Sequence, residues 1–250
     1  MQLFSEQNHD EFTASAEAER KAKANARKIA DEDEALRDKI LKAGLAHVPE
    51  LGWTKDALHA GVGDLGLPSV TAGMIGRADL DLIHFHMRVS NDALEDMMRD
   101  EVAAIRAREE RLKIRSFLRG FTETRLRMNT PVIGRWAEAM GIMSQPPDFP
   151  ESLQFDLKLF DSMWHYAGDK STDGNWYTKR LSLGAIYKAT ELAMVQDKSE
   201  DFRETWEFLD RRFQDEMDIG SFLMNSRDAQ KFIHGAVTTV ENMLGLQKKK

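Results

Sequence analysis

The chain has 250 residues, no cysteine, six prolines and a formal net charge of −7 at pH 7. A chain without thiols has no disulfide framework, thiolate metal site or cysteine nucleophile, and its acidic balance argues against nucleic acid as the main partner, because phosphate neutralisation needs clustered Lys and Arg. No apolar run approaches the ~18 residues needed to span a bilayer, so any membrane contact is expected to be peripheral.

Residues 1–33 are rich in Ala, Glu and Lys, with eight acidic residues against five basic. With few large apolar groups to bury, this segment is expected to be disordered or at most weakly helical. It has neither the Arg-rich, acid-poor character of a transit peptide nor the apolar stretch of a secretory signal. Asp33 can cap a helix carrying Leu36, Ile40, Leu41, Leu45 and Val48 at a period near 3.6. Thr54 can cap a second, short helix, and Gly66-Leu67-Pro68-Ser69 turns the chain into a third. That is a helix-turn-helix order over residues 34–88. Its candidate reading helix, Ser69 to Ile75, carries no Lys, Arg, Asn or Gln to contact a base or phosphate, and Gly73 with the following Gly76 weakens it. A scaffold role is therefore expected, without nucleic acid.

A segment from Leu80 leads into a highly charged helix expected over Glu95 to Met128. Pro131, Pro146, Pro147 and Pro150 punctuate the chain before helices near 151–166, 176–196 and 200–224. No stretch alternates with period two, so the fold class is all-α. Residues 89–224 read as one larger helical unit, and this order of a small helix-turn-helix unit before a large one resembles the TetR-type regulators, in which the larger unit serves ligand binding and dimerisation.

Several apparent motifs are decoys. Gly61-Val62-Gly63-Asp64-Leu65-Gly66 fits a dinucleotide fingerprint, but helical sequence precedes it where a strand is required. His84 and His86 are two apart and point to different faces of a helix. Asp161 and His165, four apart, suit a salt bridge better than a metal site. Glu6 and His9, the one E-x-x-H pair, fall in the segment least able to order. No nucleophile motif or phosphate loop appears, so no catalytic, cofactor or metal residues are assigned.

The run from Met163 to Thr190 holds two of the five tryptophans and all three tyrosines around a polar insert. On a helix starting near Asn175, Trp176 and Tyr177 cannot both face one core. They form either an aromatic lid over the preceding turn or an interaction surface, where Trp and Tyr are favoured anchors. Phe202, Trp206, Leu209, Phe213 and Met217 make a helical stripe that serves the core or a dimer interface. Phe232, Ile233, Val237, Val240, Met243 and Leu244 make another, on a segment (227–247) with five basic residues against two acidic between Arg227 and Lys250. A cationic amphipathic helix of this kind can lie in a membrane interface or dock on its own protein.

Four ordered blocks carry a family resemblance. Leu41–Met74 (LKAGLAHVPELGWTKDALHAGVGDLGLPSVTAGM), Leu126–Met140 (LRMNTPVIGRWAEAM), Met163–Thr190 and Asp197–Arg212 (DKSEDFRETWEFLDRR) resemble the Coq-nine family, the ninth coenzyme Q biosynthesis proteins, over roughly residues 34–218. Gly174, where a larger apolar residue is expected, and residues 1–33 depart from the pattern. The resemblance implies a TetR-regulator-like all-α fold with a C-terminal amphipathic helix, and pairing as a homodimer. It implies a non-enzymatic accessory protein that binds polyprenyl quinone intermediates of ubiquinone synthesis. It implies a patch of Met163, Trp176 and Tyr177, with Leu126 beside it, that engages the di-iron demethoxyubiquinone hydroxylase. It also favours membrane binding by the terminal helix, and a mitochondrial matrix address at the inner membrane, with a transit peptide absent from this chain. A ligand-responsive transcription regulator and an enzyme acting on a lipid are the alternatives.

Overall fold

A computed structural model describes the backbone of residues 2–171 and 174–225, and side-chain environments within residues 20–214. All regular elements among these residues are helical: α1 (Gln2–Leu51), α2 (Lys55–Asp64), α3 (Ala78–Ala107), α4 (Ile114–Arg127), α5 (Ile133–Met143), α6 (Phe149–Tyr166), α7 (Gly174–Gln196) and α8 (Arg203–Asn225). The expected all-α class is the observed one. The C-terminal amphipathic segment, with Phe232, Ile233, Val237, Val240, Met243 and Leu244, lies outside the described residues.

Local signals explain most boundaries. Thr54 caps α2 as expected, its hydroxyl accepting a hydrogen bond from the Ala57 amide at 3.4 Å. Gly52 at φ 71 ends α1, and Gly66 at φ 64 leaves α2, both in the left-handed region that glycine enters without strain.

Three expectations need correction. The first helix does not begin at Asp33 but runs from Gln2, because Ala, Glu and Lys are strong helix formers. The third element of the N-terminal unit is a 3-10 turn, Ser69–Met74, rather than an α-helix, in a stretch weakened by Gly73 and, just beyond it, Gly76; Val70 on it is 83% exposed. The charged helix expected over 95–128 is broken: α3 ends at Ala107, Glu109 takes φ 55, and α4 starts at Ile114.

Two apolar cores share α3. The first gathers Ile40, Leu41 and Val48 of α1, Leu58 and Val62 of α2, Leu82 and Ile83 of α3, and Trp136 of α5. The second gathers Leu94 and Met98 from the far half of α3 with Leu118, Leu126, Leu159, Met163, Leu183 and Leu209 from α4, α6, α7 and α8. α5 thus belongs to the first core, although it follows residue 88 in sequence. The described part of the stripe on α8 also turns inward, the side chain of Met217 lying outside the described residues. Trp206, Leu209 and Phe213 are buried in their own protomer's second core and Phe202 packs against it, so these positions do not form a dimer face.

A polar seam, buried at Arg125, Asn129, His86 and Glu191 and half-buried at Asn91 and Lys188, lies between the cores. Arg125, 1% exposed, donates to Asn91 Oδ1 at 2.7 Å and to Asn129 Oδ1 at 3.0 Å. His86 Nε2 meets the same Asn129 oxygen at 3.0 Å. Trp136 Nε1 donates to Glu191 at 2.9 Å, and Lys188 reaches Glu191 at 3.0 Å and Asp156 at 2.8 Å. Burial lowers the Lys188 pKa less than the two carboxylates raise it, so the ammonium stays charged. Pairing of this kind is what permits charges in an interior.

Candidate functional site

The aromatic run folds into a corner between α6 and α7. These helices approach closely: a Cβ at Gly184 would lie 2.8 Å from the Phe160 ring. Trp164 Nε1 donates to the Lys179 carbonyl at 2.9 Å, latching α6 to the start of α7. Beyond Ala167 the chain leaves α6 through Gly168 at φ 88, and the polar insert begins.

Asp169 and Arg180 organise the insert. The Asp169 side chain is 2% exposed and that of Arg180 6%, with Arg180 Nη1 donating to Asp169 Oδ2 at 3.0 Å. Asp169 Oδ1 also accepts from Lys179 at 2.6 Å and from the Ser171 hydroxyl at 2.7 Å. Burial alone would raise the Asp169 pKa, but hydrogen bonds from Lys179, Ser171 and Arg180 outweigh it and hold the carboxyl well below the usual carboxylate range. On its other edge Arg180 donates to Asp161 at 2.7 Å. Asp161 therefore pairs across the corner with Arg180, not along its helix with His165; the His165 ring instead stands edge-on to Tyr166 at 5.3 Å.

Trp176 is fixed by this framework. The Arg180 guanidinium lies 4.1 Å from its ring centroid, and Arg180 also donates to the Trp176 carbonyl at 3.2 Å. Tyr177 stands edge-on to Trp176, with centroids 4.8 Å apart and planes at 81°. Trp176 is half-buried and Tyr177 is 37% exposed. The pair is neither core nor free side chain: one ring rests on a buried cation, and the other reaches solvent.

Two residues expected in the surface patch lie elsewhere. Met163 and Leu126 are each 0% exposed and belong to the second core. They cannot touch a partner across the present surface, and a charge placed at Met163 would be buried. Both were placed in the patch by the family resemblance, which carries no information about which side of the helix they occupy. Sequence reasoning also missed Asp169 and Arg180. The available signal was Arg180 four residues after Trp176, on the same helical face.

No group of His, Cys, Asp and Glu side chains among the described residues could hold a metal ion. His84 and His86 are both buried and hydrogen-bonded separately, to Ser152 at 3.0 Å and to Asn129 at 3.0 Å. Gly61 of the false dinucleotide fingerprint is a packing residue, since a Cβ there would sit 2.3 Å from the Gly44 amide nitrogen on α1.

A family model described as COQ9 matches residues 149–220, from α6 into α8, and therefore contains the whole corner. A second, described as the N-terminal domain of ubiquinone biosynthesis protein COQ9, matches residues 33–62. The human protein named ubiquinone biosynthesis protein COQ9, mitochondrial, is 39% identical over 225 residues, covering 88% of this chain and 71% of the human one. The Drosophila melanogaster protein of the same name is 35% identical over 218 residues, covering 85% of this chain and 66% of its own length. A probable ubiquinone biosynthesis protein coq9 of Dictyostelium discoideum is 35% identical over 185 residues, 72% of this chain and 59% of that one. Two family models in order and this extent of identity show that the chain belongs to the COQ9 family of ubiquinone biosynthesis proteins.

Proposed function

We propose that this protein is a non-enzymatic accessory factor of ubiquinone synthesis. It binds polyprenyl quinone intermediates and presents them, at the membrane, to the di-iron demethoxyubiquinone hydroxylase. The observation that carries this reading is the Trp176–Tyr177 pair. A Trp and a Tyr held in fixed orientation and partly open to solvent make a preorganised contact, whose side-chain ordering cost is met before binding. Trp176 and Tyr177 form the contact itself, whereas Leu126 and Met163 support it from the core.

Among the described residues no helix is long and apolar enough to cross a membrane. Membrane contact in this reading is peripheral and uses the amphipathic stripe from Phe232 to Leu244. Quinone tails are apolar, and each CH₂ removed from water contributes roughly 0.8 kcal/mol. The relatives' names place them in mitochondria, which supports the same address here, at the inner membrane. A homodimer remains part of the reading, formed through surfaces other than the inward stripe of α8. The regulator alternative loses support, because its would-be reading helix is a short 3-10 turn.

Two measurements on purified full-length protein test the proposal. Mass spectrometry of extracted lipids should find a polyprenyl quinone or its precursor in near-stoichiometric amount, and a pull-down should recover the hydroxylase. Protein that carries no isoprenoid lipid and leaves the hydroxylase in the unbound fraction would refute it.

A further inference from the structure

The connection between α3 and α4 differs in charge from the rest of this acidic chain. From Ile105 to Arg119 it holds six basic residues against two acidic. Arg106, Arg108, Arg111, Lys113 and Arg115 are all exposed. Arg108 is engaged with Glu101 and Glu110, but Arg106, Arg111, Lys113 and Arg115 pair with no carboxylate among the described residues. Beside them lies a cavity of about 460 Å³ lined by apolar Ile105, Leu112, Phe117 and Phe121, by basic Arg108, Arg111 and Lys113, and by acidic Glu101 and Glu110. Ile114, between Lys113 and Arg115, is 47% exposed. Glu101 and Glu110 are both engaged by Arg108, which leaves Arg111 and Lys113 beside the apolar part of the cleft, an arrangement that matches a molecule with an anionic head and an apolar tail.

The topology puts this knuckle at one particular end of the molecule. Arg127 pairs with Asp201 and Arg119 with Asp210, so α8 runs antiparallel to α4. Its C-terminal end, at Asn225, therefore points the way α4 begins, and the chain after residue 225 is tethered at the end of the bundle that carries the knuckle. That following segment is itself cationic, with five basic residues against two acidic, which makes it a poor occupant for a basic cleft.

We infer that the α3–α4 knuckle is a binding site for anionic phospholipid at a membrane surface, acting alongside the terminal segment. Clustered Lys and Arg supply attraction to anionic headgroups, and Ile114 with the cleft supplies apolar contact. The inference rests on the peripheral-membrane part of the function proposed above.

Flotation of the full-length protein tests it, on phosphatidylcholine vesicles with and without phosphatidylglycerol. Binding to neutral vesicles reads the apolar C-terminal stripe; the gain on adding phosphatidylglycerol reads the basic residues of the knuckle together with those of the terminal segment, and the charge reversals below separate the two. Arg111→Glu, Lys113→Glu and Arg115→Glu together should cut binding to anionic vesicles on the order of 100-fold, and should weaken its salt dependence. Neutral-vesicle binding and circular dichroism should not change. The same number of reversals at exposed Arg27, Lys39 and Lys42 of α1 should leave the anionic gain largely intact, and Ile114→Ser should reduce it without altering charge. Equal loss from both charge triples would mean that net charge alone is read. An undiminished gain in the knuckle triple, or release of the wild type from vesicles by soluble glycerol phosphate, would also overturn the assignment.

Discussion

The crossing of α1 and α2 and the corner of α6 and α7 both bring two helices into close contact, by opposite means. At the first, Gly44 and Gly61 let backbones touch, and Leu58 and Leu82 close around them. At the second, a buried Asp169–Arg180 pair holds a polar insert and orients Trp176. The first buries what it organises; the second leaves Tyr177 open to solvent. Apolar packing is the cheaper route to stability, and a buried ion pair contributes little net free energy over an apolar substitute. A charged framework under half-exposed aromatics therefore fits a surface built for shape rather than for strength.

The comparison can be broken at its dry end first. Gly61→Val should be the most damaging single change, because its Cβ would fall 2.3 Å from the Gly44 nitrogen, and backbone cannot move aside as a side chain can. We expect a loss of about 3 kcal/mol or more, read from the urea midpoint. At the charged end, Asp169→Asn should cost about 2 kcal/mol, less than the usual loss for a broken buried pair, because Arg180 keeps Asp161. Hydroxylase affinity should fall in the same variant by more than its stability loss explains, since Trp176 loses its fixed platform.

Acid sharpens the contrast between the two regions. Burial lowers the pKa of His86, which sits between Trp53 and Trp136 in the first core, to about 4 from 6.5. Between those values the unfolded chain binds the proton and the folded chain does not, so stability falls as pH drops through that window. The slope should reach at most about 1.4 kcal/mol per pH unit. His86→Phe should flatten most of it in denaturation curves measured from pH 7 to pH 4; a residual slope is expected from His84, which burial also lowers. The corner behaves differently. Asp169 has a depressed folded pKa, so its contribution is complete above the ordinary value of 3.8 and is lost only as pH falls below it.

Much of the architecture was legible from local chemistry. Thr54, Gly66 with Pro68, and the prolines before α6 marked real boundaries, because caps and turns are decided by neighbouring residues. The break between α3 and α4 was not legible: residues 107–113 contain no Gly or Pro, and Glu109 takes φ 55 in a helix-ending turn, closed by Glu110 N–H to the Ile105 carbonyl at 3.1 Å, at a position that glycine usually marks. Trp176 and Tyr177 were found because adjacent helical positions diverge by about 100°. Their support was not, since pairing Asp169 with Arg180 requires knowing how the insert folds back. Leu126 and Met163 show the converse: the resemblance implied them for the surface patch, whereas both fill the core.

The central claim is that Trp176 serves a partner and not the fold. Trp176→Lys, studied in the full-length protein by calorimetric titration with the hydroxylase and by thermal melting, tests it most directly. Placing a charge at the centre of an apolar contact is costly, whereas the half-buried position contributes little to the core. The account predicts loss of measurable hydroxylase binding with a stability change under about 1 kcal/mol. Unchanged affinity in a folded variant, or a melting collapse comparable to that of Gly61→Val, would contradict it and make the pair an aromatic lid.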